Sequence, residues 1–329
     1  MSLTKTDEVL TPSALVNARP LIATISEFFR RNRLSTILDQ TNPLAEVDNL
    51  RRLSVMGTGG VTRERAAFSM RDINASQYSR ICPVRSPEGP NIGLVTYLSL
   101  YTHVNKYGFL EAPYFRVTKD KKGMRITDEI VYLAADEEED YKITHSGVEI
   151  TGDDYIDQEW VPIRHMNTFI EGSVEEVEYI DVVPRQVIGT SASLIPFIAH
   201  DEANRALMGT HMQCQAVPLV RPQTPVVGTG MEEAVATAMG RTVCARFDGV
   251  VEYVDARQVI IKLDKADVKK AIDLSLLDGD ESIKVEGDKE IYHVSKFERT
   301  AQSTSYSQRP IVNVGQQVKA GEVIIDGPS

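Results

Sequence analysis

The chain has 329 residues, of which 42% are hydrophobic and 25% are charged, and its net charge is −11. This length is enough for two or three domains, since a single core stops growing near about 250–300 residues, and the composition excludes a disordered chain. There is neither an apolar run of roughly 18 residues nor a secretory signal pattern, so we expect a cytoplasmic protein without a membrane span.

The first predicted elements are helical. Pro20 opens a segment whose apolar residues follow helical spacing and are expected to face a core: Leu21, Ile22, Ile25, Phe28 and Phe29. A second helix is predicted from Ser35, ended by Asn42-Pro43 because the residue before proline avoids the helical region. A third runs from Leu44 through Leu53 and ends at Gly57, so residues 12–57 are predicted to form a small helical layer.

A glycine-rich loop and a basic segment follow. Three glycines within Gly57–Gly60 exclude a stable helix or strand there, and the loop lacks the Gly-Lys-Ser/Thr ending of a phosphate-cradling P-loop. Residues 51–85 hold no lysine, two acids and seven arginines: Arg51, Arg52, Arg63, Arg65, Arg71, Arg80 and Arg85. Arginine without lysine is typical of oriented contacts to phosphate or carboxylate. The alternative is a surface that pairs with the acids of a protein partner.

Residues 81–94 contain three prolines and two glycines, which predict an ordered, irregular connection that is either functional or a stiffened linker. Short β-rich runs then predict an antiparallel lobe: Val95–Val104, Tyr114–Val117, Glu129–Leu133 and Gly147–Ile150. Residues 131–180 hold 14 acids and two bases, so the rest of the chain sums to about +1 and the negative net charge does not exclude nucleic-acid binding. We interpret the acidic run Asp136–Asp140 as a solvated face, and the isolated His145 and His165 as surface or core residues rather than metal ligands.

A helix is predicted between a cap at Asp201 and Pro218. One side of it, called the polar face below, is too polar for a core and too neutral for a salt-bridged surface: Asn204, Arg205, Met208, His211, Met212 and Gln215. Such a face suits a groove that meets a polar ligand. The alternative for Arg205 is an ion pair with Asp201 or Glu202 on its own helix.

The last part of the chain is β-rich. Val250–Val254 and Val259–Leu263 predict a hairpin, and the valine and glycine spacing after Val312, with Gly315 and Gly321 bending the strands, is typical of barrel-sandwich folds. The sequence ends on a turn signal, from which we expect a truncated coding segment.

Cys82, Cys214 and Cys244 lack the spacing of a zinc site or disulfide framework and are predicted to be reduced structural thiols. The fold class is α+β with several domains.

Eight segments of this chain resemble the bacterial RNA polymerase β subunit in the family's order: Asp39–Leu44, Arg51–Ser54, Gly59–Ala66, Ser86–Leu94, Ser193–Phe197, Asn204–Gly209, Gln215–Pro218 and Val227–Met231. Each is weak alone, whereas eight in order are specific. The resemblance implies a fork region over residues 12–94 with mixed helices and strands. It also implies an antiparallel β external lobe over 95–182, and the truncated start of a hybrid-binding domain with a barrel-sandwich-like β part over 183–329.

The resemblance also implies site residues. Arg205 matches an arginine that contacts the phosphates of the incoming nucleotide, Gln215 a residue near the initiating nucleotide, and Asn204 and Met208 accompany them. Arg63 and Arg65 follow a loop similar to the fork loop at the downstream edge of the transcription bubble, and Glu88 and Asn91 match positions beside the RNA. The family's antibiotic pocket corresponds to Thr36, Asp39, Asn49, Arg52, Ser54, Met56, Pro87 and Asn91.

Three positions depart from the family pattern. Asn49 stands where histidine is usual, Thr36 where glutamine is usual, and Cys214 where arginine is common. The first two replacements remove ring contact and hydrogen-bond reach, so we predict poor inhibition by rifamycin. The third removes a basic contact near the predicted nucleotide site.

The function implied is that of a nucleotidyltransferase segment: a cleft-lining part of DNA-dependent RNA polymerase that contacts template DNA, nascent RNA and nucleoside triphosphates. The implied partners are the β′, α and sigma subunits, with Mg²⁺ held by β′; we expect no catalytic residue, metal ligand or activity in this segment alone. Two other hypotheses are a free-standing nucleic-acid-binding module and a structural domain that contacts only proteins. A reading frame continuing past Ser329 would favour the polymerase.

Overall fold

A computed structural model describes residues 16–32, 34–220, 222–264, 267–278 and 282–327. The chain forms two compact units, the first comprising the described residues up to Ile37 together with Val55–Ala66, and the second comprising the others. Helices and largely antiparallel sheets occur together, which confirms the α+β class with several domains. Within these ranges no helix has the length and apolar character needed to cross a membrane.

The first unit contains helix α1, Arg19–Arg31, which has proline in its first turn, as predicted, and has Arg30 and Arg31 in its last turn. The prediction that its apolar stripe lies in a core is wrong, because those five side chains are 49–68% exposed. The described part of this unit holds one α-helix and an irregular loop. It therefore lacks the second layer against which an apolar stripe is normally buried.

The glycine loop of the first unit is irregular, as predicted. Gly57 and Gly59 have φ angles of 122° and 82°, which glycine adopts without strain. A Cβ on Gly60 would lie 2.2 Å from the carbonyl oxygen of Val55, so this position also requires glycine. A short 3₁₀ turn, Arg63–Arg65, follows.

The predicted second helix is absent from residues 34–42. The Asp39 carboxylate accepts hydrogen bonds from the backbone N–H of Thr41 at 3.1 Å and from its hydroxyl at 2.8 Å, a local turn that competes with helix. Helix α2 spans Pro43–Leu50, shorter than predicted. Leu53 lies instead in strand β1, Arg52–Ser54, which pairs antiparallel with β2, Val95–Tyr97.

The lobe is a seven-stranded sheet in the order β3-β4-β9-β6-β7-β8, with β5 paired to β4. Its strands are β3 His103–Val104, β4 Leu110–Asp120, β5 Gly123–Ala134, β6 Ile143–Thr144, β7 Trp160–His165, β8 Thr168–Ser173 and β9 Tyr179–Asp181. The β6–β9 pair is parallel and the others are antiparallel. Gly147–Ile150 is not the predicted strand, since Ile150 forms only an isolated bridge with Ile156.

The acidic run forms helix α3, Ala135–Glu139, between β5 and β6. Its interpretation as a solvated face is wrong for Glu138, which is 5% exposed and pairs with both Arg80 and Arg164. Asp136, Glu137, Glu139 and Asp140 are exposed as expected. One carboxylate of the run is therefore buried and forms ion pairs inside the protein. Arg80, Glu138 and Arg164 are called the Glu138 cluster below.

Three helices follow the lobe: α4 Thr190–Ser193, α5 Ala203–Gln215 and α6 Glu232–Ala238. The helix predicted between Asp201 and Pro218 is confirmed, as Ala203–Gln215, but its predicted cap at Asp201 is wrong. The residue before α5 is Glu202, and no side chain caps the helix, because the Glu202 carboxylate accepts the Asn204 amide at 3.1 Å instead. Helices α2, α5 and α6 share an apolar core that includes Leu44, Cys214 and Val235.

The remaining strands are β10 Val243–Cys244, β11 Gly249–Val254, β12 Gln258–Leu263, β13 Ile283–Glu286, β14 Lys289–His293, β15 Glu298–Arg299, β16 Ser305–Tyr306, β17 Arg309–Pro310, β18 Gln317–Val318 and β19 Val323–Asp326, with helix α7 Val268–Asp278 between β12 and β13. They form sheets in the orders β13-β14-β12-β11-β18 and β10-β19-β17, while β15 pairs with β16. The predicted β11–β12 hairpin is confirmed. Both larger sheets contribute to one core, including Val251, Ile261 and Ile324.

Candidate nucleotide and nucleic-acid interface

Helix α5 has a buried side and a side that faces outward. Ala206, Thr210 and Cys214, spaced four residues apart, are buried. On the polar face, Asn204, Arg205, Met212 and Gln215 are exposed, whereas Met208 and His211 are half-buried. The periodicity therefore predicted correctly which side of this helix is more exposed.

The C-terminal end of α5 is fixed by Asn42. The Asn42 side-chain oxygen accepts the N–H of Ala45 at 2.7 Å and so caps α2, while its amide donates to the carbonyls of Gln213 and Ala216, both at 2.9 Å. His211 Nε2 lies 2.9 Å from the carbonyl oxygen of Ser86. These bonds hold α5 against α2 and against the loop after Arg85.

A buried polar group, Asp48, Arg85 and Cys214, lies behind the polar face and is called the Arg85 cluster. Arg85 Nε lies 3.3 Å from an Asp48 oxygen as an ion pair, and its two terminal nitrogens donate to Thr210 Oγ1 at 3.3 Å and to Cys214 Sγ at 3.4 Å. The guanidinium also stacks 4.8 Å from the ring centre of Tyr97. Arg85 thus joins helices α2 and α5 to its own loop.

Cys214 is a neutral thiol in this environment. Burial, reinforced by the neighbouring Asp48 carboxylate, raises its pKa to about 12, and its Sγ donates to Asp48 at 3.2 Å. All three cysteines are unpaired thiols, as predicted. Where arginine is common in the resembled family, this chain has a thiol, and the adjacent positive charge comes from Arg85.

Arg205 has no carboxylate partner within the part of the chain that the structure describes. Its Nη1 lies 3.4 Å from the sulfur of Met208, one turn further along the polar face. The alternative of an ion pair with Asp201 or Glu202 is not found, since the Glu202 carboxylate takes the Asn204 amide. The guanidinium is exposed and its charge is not neutralised by its own helix.

The seven arginines of residues 51–85 divide into two groups. Four bind inside the protein: Arg51 donates to the Ser99 carbonyl, Arg71 to the carbonyls of Pro90 and Ile92 at 2.7 and 3.0 Å, Arg80 to Glu138, and Arg85 pairs with Asp48. The other three, Arg52, Arg63 and Arg65, are exposed and form no ion pair with any described residue. Only this second group is available for phosphate or for a partner's acids.

A cavity of about 230 Å³ lies between α2 and α5. It brings three of the predicted antibiotic-pocket residues, Asp39, Asn49 and Arg52, together with Gln215 from the predicted nucleotide site, and its inner wall includes the Arg85 cluster. Charged and amide side chains, among them Asp39, Arg52 and Asn49, make up about half of this lining, so the cavity suits a polar ligand.

The other predicted residues lie elsewhere. Ser54 is exposed at the end of β1, Glu88 is exposed, and Pro87 and Asn91 are half-buried in the loop that Arg71 fixes. The first unit contains Thr36, Met56, Arg63 and Arg65, of which only Met56 is half-buried. Within the described ranges, no group of three or more His, Cys, Asp or Glu residues could hold a metal ion.

Sequence reasoning missed Asn42, Asp48 and Arg85 as the residues that position α5. Asn42 carried a usable signal, because asparagine directly before a proline is a common way to begin a helix. The sequence gives no such indication for Asp48 and Arg85, because the three members of their cluster come from distant parts of the chain.

Two family models match parts of this chain. The model for RNA polymerase Rpb2, domain 3, matches residues 36–104, and the model for the RNA polymerase beta subunit external 1 domain matches residues 114–183. Both models describe domains of an RNA polymerase subunit, which is the class of protein that they indicate for this chain.

Curated relatives make the assignment more specific. The chain is 47% identical to the DNA-directed RNA polymerase subunit beta of Caldicellulosiruptor bescii over 98% of its length, and 46% identical to that of Oceanobacillus iheyensis over 100%. With that of Enterococcus faecium it shares 44% identity over 98%. This chain belongs to the bacterial RNA polymerase β subunit family, and it spans 24–26% of the length of these relatives.

Proposed function

We propose that this chain lines the active-site cleft of a DNA-directed RNA polymerase and that the polar face of α5 contacts the phosphates of the incoming nucleotide. The observation that carries the proposal is Arg205, an exposed guanidinium without a carboxylate partner among the described residues. It stands on a helix whose C-terminal end is held by Asn42 and whose buried side is held by the Arg85 cluster.

The chemistry of nucleotide addition explains the value of such a residue. A triphosphate and a phosphoryl-transfer transition state carry concentrated negative charge, which a positioned cation stabilises without reorganising at the moment of reaction. The Met208 sulfur contacts the Arg205 guanidinium and restricts where it can lie. Asn204 and Gln215, exposed on the same face, add neutral hydrogen-bond donors and acceptors for the nucleotide.

Nucleic acid would contact residues outside the polar face of α5. Arg63 and Arg65, exposed and without described ion pairs, are suited to the DNA backbone at the downstream edge of the bubble. Glu88 and Asn91 lie on the loop that Arg71 holds, beside the proposed RNA path. The predicted antibiotic pocket would be formed in part by the cavity that contains Asp39, Asn49 and Arg52.

The proposed reaction needs other subunits. We assign Mg²⁺, which would stabilise the attacking and leaving oxygens, to β′, and we propose α, sigma, template DNA and nascent RNA as the remaining partners. The purified chain, mixed with template, primer and the nucleotides, is expected to make no RNA. Metal-dependent extension by independently prepared protein would show that this division of labour is wrong.

Arg205→Ala in the assembled enzyme tests the phosphate contact. Loss of a charge-assisted bond of about 1.5–3 kcal/mol should lower kcat/KM for single-nucleotide extension roughly ten- to a hundredfold. Arg205→Lys should recover part of the loss, because lysine keeps the charge without the planar fork. Arg125→Ala, which removes an exposed arginine of the lobe, is the matched control and should leave kcat/KM unchanged. A change below twofold for Arg205→Ala, or loss of assembly, would contradict the proposal.

A further inference from the structure

The lobe sheet ends in an edge strand, β8. Strands β7 and β8 form a hairpin through Met166 and Asn167, whose φ angles of 46° and 59° fit the tight primed turn that hairpins favour. Strand β8 is last in the sheet order, and no strand within the described residues pairs with its outer side. The residues from Thr168 to Glu171 are all exposed.

The register shows which backbone groups of β8 point outward. In a two-residue hairpin the pair that closes the turn, here His165 and Thr168, exchanges hydrogen bonds, and bonded pairs then alternate along the ladder. Ile170 is therefore bonded to Ile163, whereas the N–H and C=O groups of Phe169 and Glu171 point away from β7. These groups can add a further strand.

One face of the same hairpin is aromatic. Phe169 is 76% exposed and Trp160 is 67% exposed, and the pairing places both on the face opposite to the buried Val161 and Ile163. Phe169 also borders a mainly apolar cavity of about 330 Å³, whose other apolar walls come from Ile73, Tyr78, Ile81, Pro83 and Val187. Arg164, on this face, is already paired with Glu138.

The surroundings of the edge are acidic. Of the 14 acids in residues 131–180, all but Glu138 are exposed. Glu171 lies on β8 itself, the carboxylate of Glu139 accepts the Asn167 amide in the hairpin turn at 2.6 Å, and Glu159 adjoins the start of β7. A partner strand at this edge would therefore lie among carboxylates.

We propose that the β8 edge binds an extended, lysine- or arginine-rich segment of another protein, which pairs with Phe169 and Glu171 and inserts one apolar side chain into the cavity beside Phe169. Main-chain bonds supply affinity in this mode, and alternate side chains supply specificity. The acidic surface selects a basic partner and repels nucleic acid. Pairing of this edge with the same edge of a second copy is disfavoured, because the two Glu171 carboxylates would lie close together and repel each other.

Protection against aggregation alone does not explain the surface. A charge such as Glu171 is a usual way to protect an edge strand, but two exposed aromatic side chains and an adjoining apolar cavity oppose that purpose. Together they match an edge that is covered by a partner.

The test uses the assembled polymerase and a short fluorescein-labelled peptide of alternating lysine and valine with one central leucine, followed by fluorescence anisotropy. Saturable binding is expected, and the same peptide N-methylated at alternate amides, with its charge unchanged, should bind about tenfold more weakly or worse. Equal binding of the two peptides would mean attraction by charge alone and would overturn the proposal, as would no binding of either.

Three variants locate the site. Glu171→Thr removes one carboxylate and keeps the outward N–H, whereas Glu171→Pro removes both without breaking a bond to β7. We expect a two- to threefold loss for the first and about a tenfold loss for the second. Phe169→Ala should weaken binding severalfold, and Asp128→Thr, an exposed acid on β5, should match the wild type. Identical losses for the two Glu171 variants, or no loss for either, would place the peptide elsewhere and overturn the proposal.

Discussion

The Glu138 cluster and the polar face of α5 use arginine in opposite ways. Arg80 is buried and donates to the carbonyls of Leu110 at 3.0 Å and Leu133 at 2.7 Å as well as to Glu138. Arg205 is exposed, and its described contact is with a methionine sulfur. The difference teaches that burial and partners, rather than the residue type or the local charge, decide whether an arginine is structural or available to a ligand.

Two tyrosines also contact the Glu138 cluster. Tyr114 donates to Glu138 at 3.0 Å, and the Arg164 guanidinium stacks 4.2 Å from the ring centre of Tyr78. Burial lowers the pKa of Arg80, although neighbouring groups that favour its charge oppose this effect. The cluster links the segment around Arg80 to the lobe sheet, so it should control stability rather than nucleotide addition.

Glu138→Gln should have the largest effect on stability, because it leaves the guanidinium groups of Arg80 and Arg164 buried without their carboxylate. Breaking a buried pair in this way costs about 3–5 kcal/mol. Hydrogen exchange of the lobe sheet in the assembled enzyme should accelerate more than a hundredfold. Asp140→Asn, at an exposed acid of the same run, is the control and should exchange like the wild type. Unchanged exchange in Glu138→Gln would show that the cluster does not hold the lobe.

Cys214→Arg tests whether the Arg85 cluster can hold a second cation. A second guanidinium beside Arg85, with Asp48 as the shared carboxylate, should destabilise α5 by about 3 kcal/mol through repulsion and overpacking. Cys214→Ser keeps a donor for Asp48 and should cost about 1 kcal/mol. Exchange rates of the α5 amides provide the comparison. An arginine variant as protected as the serine variant would mean that the two guanidinium groups are compatible.

Rifamycin inhibition gives a smaller expected effect, at the exposed Thr36 and the half-buried Asn49. Asn49→His combined with Thr36→Gln should restore contacts worth about 2 kcal/mol and lower the inhibitory concentration more than tenfold. Extension rates without the drug should not change. Equal inhibition of the variant and the parent enzyme would show that neither position limits binding.

The part of this molecule that could be predicted from the sequence is the part set by local periodicity. Helix α5, its polar face and the β11–β12 hairpin followed from spacing, and each is present. Residues 34–42 deviate because the Asp39 side chain competes for backbone bonds, which a helical pattern does not reveal.

The long-range contacts could not be predicted in this way. Arg80 and Arg63 are equally polar in the sequence, yet one pairs with Glu138, 58 residues away, and the other is exposed. The cluster of Asp48, Arg85 and Cys214 depends in the same way on three segments that meet only in the folded chain. Family resemblance supplied the expected roles of site residues but gave no indication of what holds them in place.

Photo-crosslinking from the polar face tests the central claim most directly. The Met208 sulfur lies 3.4 Å from Arg205 Nη1, so Met208→p-azidophenylalanine would place a short-range probe beside the proposed phosphate contact. In a stalled elongation complex the account predicts labelling by the incoming radiolabelled nucleotide, saturating over the concentration range that supports extension and displaced by unlabelled nucleotide. The same probe at Arg125 should remain unlabelled. If position 208 is labelled no more than position 125 in a complex that still extends RNA, the polar face of α5 does not contact the nucleotide.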